Sequence, residues 1–347
     1  MSGIFEREIH EQPDALERQL TNGREAAVVV AEKVKARAPS SIVIAARGSS
    51  DNAGRYAQYL LGAHNRLAVS LATPSLFTLY NAPPSLAGSV VVGISQSGRS
   101  PDIVEVVAEG RRQGSLTIAI TNDTASPLAQ AAELCLPLHA GPEHAVAATK
   151  TYTTQLTALA MLSCALSDDA ARWDELSTAP AMLRETLARN TASARDAAAR
   201  LAGIKRFVTI GRGFNYASAF EVSLKMKETC YVVAEPYSSA DFRHGPTAML
   251  EHGLGAVLIA PSGKVFADVA ALAELCAERA VDVVAISDRA ELLDAAQSAL
   301  PLPTGMPEWL SPLAAIVPGQ LLSLELARAR GIDLDNPRGL TKITETR

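Results

Sequence analysis

A chain of 347 residues with a formal net charge of −5, 48% hydrophobic and 20% charged residues is long enough to bury two separate cores. The acidic balance, with no lysine- or arginine-rich run, argues against a nucleic-acid partner, which would call for a basic face. The opening Met1-Ser2-Gly3-Ile4-Phe5-Glu6-Arg7-Glu8 carries charge where a secretory signal needs an apolar core, and runs such as Leu254 to Ala260 are too short to span a bilayer. A soluble cytoplasmic protein with no membrane partner is expected.

Residues 7–37 predict one amphipathic helix or two, interrupted near Pro13 and Gly23, with Pro39 closing this leader. Ser41 to Ala46 reads as a short buried strand. Its polar exit loop is Arg47-Gly48-Ser49-Ser50-Asp51-Asn52, and a helix-compatible stretch runs from Ala53 to Ala63. Further strands are predicted at 67–71, 89–94, 116–120 and 134–138, separated by helical segments. Strand alternating with helix implies a doubly wound parallel α/β sheet whose site lies at the carboxyl ends of the strands.

The apolar run Val90 to Ile94 ends in Ser95-Gln96-Ser97-Gly98-Arg99-Ser100-Pro101, and a helical pattern follows from Asp102. Free N–H groups and the positive end of a helix dipole make such a turn an anion site. The serines and the glutamine add donors without bulk, so this turn reads as a phosphate cradle.

Ala145 to Ser167 is predicted helical, and 168–203 is charged, Ala-rich and also helical. Then the pattern restarts. Arg206 to Gly213 echoes Ile42 to Gly48, Ala256 to Gly263 echoes Val90 to Gly98, and Val283 to Asp288 echoes Leu116 to Asn122, all at an offset of about 165 residues. An internal duplication follows, with a leader at 1–36, a first domain at 37–167, a connector at 168–203, a second domain at 204–330 and a tail at 331–347. In the second copy the cradle has become Pro261-Ser262-Gly263, so one phosphate per chain is expected. That copy carries ionisable groups instead, in Lys225-Met226-Lys227-Glu228 and Asp241-Phe242-Arg243-His244-Gly245-Pro246.

Cys135, Cys164, Cys230 and Cys276 form no C-x-x-C pair and read as thiols in a reducing compartment. His139 and His144 lie in a Gly-Pro loop without a carboxylate-rich surround, and no metal is assigned. Gly211-Arg212-Gly213 lacks the third glycine of a dinucleotide fingerprint, and Ser262-Gly263-Lys264-Val265 lacks the rest of a P-loop, so no organic cofactor is assigned. Lys225 and Glu228, three apart, share a helix face; alone they read as a solvated salt bridge, and His244 as a capping or core histidine. Together with the cradle and Lys342 near the C-terminus, they are the groups needed to open and isomerise a sugar phosphate.

Ser95-Gln96-Ser97-Gly98, Ala147-Ala148-Thr149-Lys150, the stretch Lys225 to Glu228, His244-Gly245-Pro246 and the tail Asn336-Pro337-Arg338-Gly339-Leu340-Thr341-Lys342 resemble sugar isomerase (SIS) domains. More narrowly they resemble the isomerase half of glutamine–fructose-6-phosphate aminotransferases, over nearly the whole chain. The resemblance implies two tandem SIS domains, each a three-layer α/β/α sandwich. Those aminotransferases carry a cysteine directly after the initiator Met and a glutaminase domain, whereas here Ser2 follows Met1 and a short leader precedes the first strand. Their cradle reads Ser-Gln-Ser-Gly-Glu-Thr, whereas this one continues Arg99-Ser100-Pro101-Asp102. The pattern is therefore closer to the SIS-type glucosamine-6-phosphate deaminases, which convert the amino sugar phosphate to fructose 6-phosphate and ammonia.

By the resemblance, Ser95, Gln96, Ser97 and Ser100 hold the 6-phosphate, with Gly48, Ser49, Ser50 and Ala147 also in the substrate site. His244 moves protons during ring opening, and Glu228 carries one between C2 and C1. Lys342 attacks the carbonyl or closes over the substrate, and Lys225 stabilises developing negative charge. The resemblance also implies a homodimer whose histidine loop crosses the subunit interface, and no metal or organic cofactor. A fructosamine-6-phosphate deglycase, another amino sugar phosphate isomerase and a non-catalytic sugar-phosphate sensor are the alternatives.

Overall fold

In a computed structural model that describes residues 3–339 and 342, the two halves of the chain form separate five-stranded sheets. The first sheet holds β1 (Ser41–Ala45), β2 (Ala68–Leu71), β3 (Ser89–Ile94), β4 (Leu116–Thr121) and β5 (Leu134–Pro137), in the order β2-β1-β3-β4-β5, all parallel. Its helices are α2 (Gln12–Arg37), α3 (Gly48–Asn65), α4 (Ser75–Thr78), α5 (Pro101–Arg112), α6 (Pro127–Ala131), α7 (Lys150–Ser167) and α8 (Ala170–Ser177). From Asp14 of α2 onward these belong to one compact unit, Asp14–Glu143 with Lys150–Thr178, and Lys342 belongs to it too.

The other unit takes 3–13, His144–Thr149 and 179–339. Its strands are β6 (Arg206–Gly211), β7 (Val233–Ser238), β8 (Leu254–Ile259), β9 (Asp282–Ser287) and β10 (Ser298–Pro301), in the order β7-β6-β8-β9-β10. Its helices are α1 (Ile4–His10), α9 (Ala179–Leu201), α10 (Tyr216–Cys230), α11 (Ser239–Arg243), α12 (Phe266–Ala270), α13 (Leu272–Glu278), α14 (Ala290–Ala295) and α15 (Ser311–Ala329). The strand order repeats, and each strand of the second sheet lies about 165 residues after its counterpart. β4 and β8 are buried along their whole length, as parallel strands covered on both faces must be, which is why they read as unbroken apolar runs.

In each sheet the first and third strands are neighbours, but their crossovers leave in opposite directions. That topological switch point opens a crevice at the carboxyl ends of the two strands. In the first sheet it receives the loops that follow Ala45 and Ile94.

Four local expectations change. The leader breaks at Glu11, because Pro13 sits in the first turn of α2, where its missing N–H costs no helical bond, and Gly23 lies inside α2 without interrupting it. The segment expected as an exit loop after β1 is already helix from Gly48, so Ser49 and Ser50 stand in the first turn of α3. The helix expected from Ala145 begins at Lys150, leaving 145–149 irregular. Finally, Glu308–Ala329 is long and apolar enough to cross a membrane by length and composition, contrary to the reading of the apolar runs; its apolar window is entirely buried, packed against α9 and α10.

Candidate active site

At the first switch point the backbone folds into a tight turn that ends at the N-terminus of α5. Ser95 is buried at the end of β3, and its Oγ accepts the Gly98 N–H at 3.1 Å, while Ser97 Oγ accepts the Arg99 N–H at 3.3 Å. The carbonyl of Gln96 accepts the Asn122 N–H at 3.2 Å, which ties the loop to the end of β4. The Gln96 side-chain amide is half-buried and has no hydrogen-bond partner among the described residues. Ser100 occupies the N-cap position of α5 without making a side-chain capping bond, and Pro101 pre-sets the first helical turn. Gly98 has φ +63°, and a Cβ there would run into Ser126 and Thr121, so both conformation and space require glycine. The result is a helix N-terminus with unused hydroxyl and amide donors around it, the arrangement that holds a phosphate.

The second serine loop enters the same crevice. Gly48 begins α3 with φ +55°, and Ser50 is buried with its Oγ accepting Gln155 Nε2–H at 2.9 Å, while Ser49 is half-buried. Arg47, at the N-cap of α3, donates from Nε to the buried Asp102 Oδ2 at 2.8 Å, clasping the two loops together. Asp51 stands in the same turn; burial pushes its carboxyl up, against the pull of Arg55 and Arg47.

Lys342 also belongs to this unit. Its Nζ donates to Glu143 Oε2 at 2.8 Å. The Glu143 carboxylate is wholly buried and also accepts the Thr151 N–H at 3.0 Å and the Thr151 hydroxyl at 2.7 Å, in the first turn of α7. An ammonium bound in this way has no lone pair to offer, so a nucleophilic Lys342 must first leave Glu143 and lose a proton. Glu143, an essential part of this arrangement, carries no signal in the sequence.

In the other unit, Lys225 and Glu228 lie on α10 with Glu221. Lys225 Nζ is 2.6 Å from Glu228 Oε2 and 3.3 Å from Glu221 Oε1; the side chains of Lys225 and Glu221 are fully buried, and that of Glu228 is 24% exposed. Burial works to lower the lysine's pKa, but Glu228 and Glu221 outweigh it and hold the ammonium well above the ordinary lysine range. Lys225 is therefore a permanent cation, and Glu228 is the end of the triad that reaches a pocket. Phe5, Ala147, Thr229, Leu334 and Pro337 line that pocket with it, and its volume is about 10 Å³, room for about one water. Glu221 was available to sequence reasoning through its Glu-to-Lys spacing of four on one helix face.

His244 caps the C-terminus of α11 through its backbone, before Gly245 and Pro246. Its ring is exposed, makes no hydrogen bond among the described residues, and does not line the Glu228 pocket. The second switch point repeats the clasp without the cradle. Arg212 Nη1 meets Asp268 Oδ2 at 2.6 Å, in the first turn of α12, as Arg47 meets Asp102. There the Ser262 N–H is taken at 2.6 Å by Asp288 Oδ1, a carboxylate of the chain itself.

The SIS domain matches this chain twice, at residues 36–165 and 200–329. The glutamine–fructose-6-phosphate aminotransferase [isomerizing] of Thermococcus kodakarensis is 35% identical over 345 residues, which cover 97% of this chain and 57% of that protein. The chain thus spans a little over half the length of that curated relative. The C-terminal domain of glucosamine-fructose-6-phosphate aminotransferase from Francisella tularensis superposes with a TM-score of 0.88 at 27% identity, over 97% of this chain and 99% of that one. The glucosamine-6-phosphate deaminase from Thermotoga maritima has a TM-score of 0.80 over 99% of this chain and 100% of its own, but at 20% identity this likeness is one of fold. With both repeats matched and the same sheet built twice, the chain belongs to the SIS domain family and carries the domain in tandem.

Proposed function

We propose that this protein isomerises an amino sugar phosphate without a metal, and that its reaction is the conversion of glucosamine 6-phosphate to fructose 6-phosphate and ammonia. The observation that carries the reading is the Glu221–Lys225–Glu228 triad, in which a permanent buried cation holds a carboxylate at the wall of a pocket. A carboxylate so oriented is suited to moving a proton between adjacent carbons. The cradle at Ser95 to Ser100, with Ser49 and Ser50, supplies a phosphate anchor.

In this scheme the 6-phosphate binds the cradle and His244 transfers the proton that opens the ring. Glu228 takes the proton from C2 of the open-chain aldehyde and returns it to C1, and through the intervening enolamine a second proton passes by way of solvent from the amine nitrogen to O1. The product is a ketimine at C2. Water adds across that C=N bond, the C–N bond then breaks, and the nitrogen leaves as ammonia carrying both protons of the added water. Lys225 touches no reacting atom here and keeps Glu228 in place. Lys342, released from Glu143, can take the place of water at C2, and hydrolysis of its adduct returns the lysine. The same proposal includes the homodimer that the family resemblance implies, with the His244 loop of one copy serving the site of the other.

The 35% identity to an aminotransferase supports a second reading on the same residues, the synthesis of the amino sugar from fructose 6-phosphate and ammonia. The decisive assay follows ammonia and fructose 6-phosphate released from glucosamine 6-phosphate, beside the reverse reaction with ammonium. Failure to release ammonia, together with cleavage of a fructosamine 6-phosphate, overturns the deaminase reading in favour of a deglycase.

A further inference from the structure

The seven-residue helix α1 buries Phe5, Glu8 and Ile9 on one face. A carboxylate among apolar neighbours, 1% exposed, is costly unless its oxygens are bonded. Glu8 Oε1 accepts the His144 N–H at 2.6 Å, and Oε2 accepts the Ala145 N–H at 3.1 Å. Those consecutive amides open the irregular segment 144–149, which has no ladder or helix to satisfy its backbone. The same segment brings Ala147 to the pocket wall beside Glu228, and Phe5 of α1 lines that wall too.

The other end of α1 holds the segment that carries Leu334 and Pro337. The Ile4 N–H donates to Asp335 Oδ1 at 2.9 Å, and Glu6 Oε2 meets Arg328 at 2.6 Å, next to the segment that carries Leu334 and Pro337. The geometry points to α1 as the frame of the crevice beside Glu228, into which one end of a sugar chain would reach, and to Glu8 as a positioning residue. Its charge-assisted bonds set the backbone of 144–149, and so the fit of the sugar chain beside Glu228. The inference rests on the proposed binding of a sugar phosphate at Glu228.

The test compares the parent with Glu8→Gln and Glu8→Asp. Calorimetry measures affinity for an open-chain hexitol 6-phosphate and for inorganic phosphate, and amide exchange is followed over 144–149. Glutamine turns an NH2 toward one of the two N–H donors, and aspartate cannot reach both, so both variants break the clamp. The expected result is faster exchange at 144 and 145, hexitol phosphate binding weakened about 10-fold or more, and inorganic phosphate within about twofold of the parent. Unchanged hexitol phosphate affinity overturns the role of Glu8, as does equal loss of both ligands, which marks a merely structural residue. Should Glu8→Gln not fold, Glu8→Asp, which keeps the charge, is judged by the same split. A parent that binds phosphate but no hexitol phosphate overturns the pocket reading itself, and this inference with it.

Discussion

Lys225→Met tests the triad on which the functional reading depends. The substitution keeps the length of the stem and removes the ammonium that lies 3.3 Å from Glu221 and 2.6 Å from Glu228. It leaves the wholly buried Glu221 without its counter-ion. Losing one partner of a buried ion pair costs about 3–5 kcal/mol, which at about 2–4 °C per kcal/mol for a unit of this size lowers Tm by about 6–20 °C. The pH dependence gives a second, independent reading. In the parent the lysine's folded pKa is raised above its ordinary value of 10.5, so its contribution is complete below that value and is lost only as pH rises through the higher folded one. The parent therefore shows no change from this group between about pH 5 and 9. In the variant the stranded carboxylate resists ionisation, so the folded state holds its proton more tightly than the unfolded chain. Stability then falls as pH rises above the ordinary carboxylate range, and the deficit is smaller at pH 5 than at pH 8. Thermal melts followed by circular dichroism across that range measure both effects, and Glu221→Gln added to Lys225→Met should recover at least half the loss. A Tm within 2 °C of the parent at every pH (about 1 kcal/mol or less) refutes the buried-triad account.

The remaining expectations concern other parts of the machinery. Glu228→Gln keeps the shape of the pocket but cannot accept the proton, so kcat falls about 10²–10⁴-fold with little change in binding of an open-chain hexitol phosphate; an active variant excludes Glu228 as the base. Gly98→Ala forces a left-handed residue against Ser126 and Thr121, so affinity for inorganic phosphate, read by calorimetry, drops at least about 10-fold while the fold persists. Glu143→Gln weakens the hold on Lys342, and trypsin cleaves near Lys342 faster than in the parent; equal cleavage rates contradict the latch. Burial pushes the thiols of Cys135, Cys230 and Cys276 up to about 11 and that of Cys164 up to about 12, so iodoacetamide at pH 7.5 leaves the native protein unmodified and labels all four after denaturation.

How much of this the sequence discloses depends on the range of the interaction. Strands buried on both faces write themselves as apolar runs, so β1, β3, β4 and their counterparts are legible, and with them the duplication. Gly48-Ser49-Ser50-Asp51 reads as loop because the residues that favour helix starts are also those that favour turns; here they begin a helix, and the hydroxyls gain a dipole that the loop reading denied them. Glu143 and Lys342 stand 199 residues apart, and no periodicity connects them. The clasp between the loops is a different case. Arg47–Asp102 and Arg212–Asp268 are each long-range, yet both members recur at nearly the common offset, so the repeat itself could have revealed them. What the two copies kept and what they lost divides scaffold from function. Both retain an arginine after the first strand and an aspartate at the head of the helix that follows the third, because either crevice needs its loops held together. The second lacks the serines and glutamine of the cradle, and there the N–H of Ser262 is taken by the carboxylate of Asp288, an anion of the chain itself. On α10 the second copy carries instead a buried cation and the carboxylate it orients.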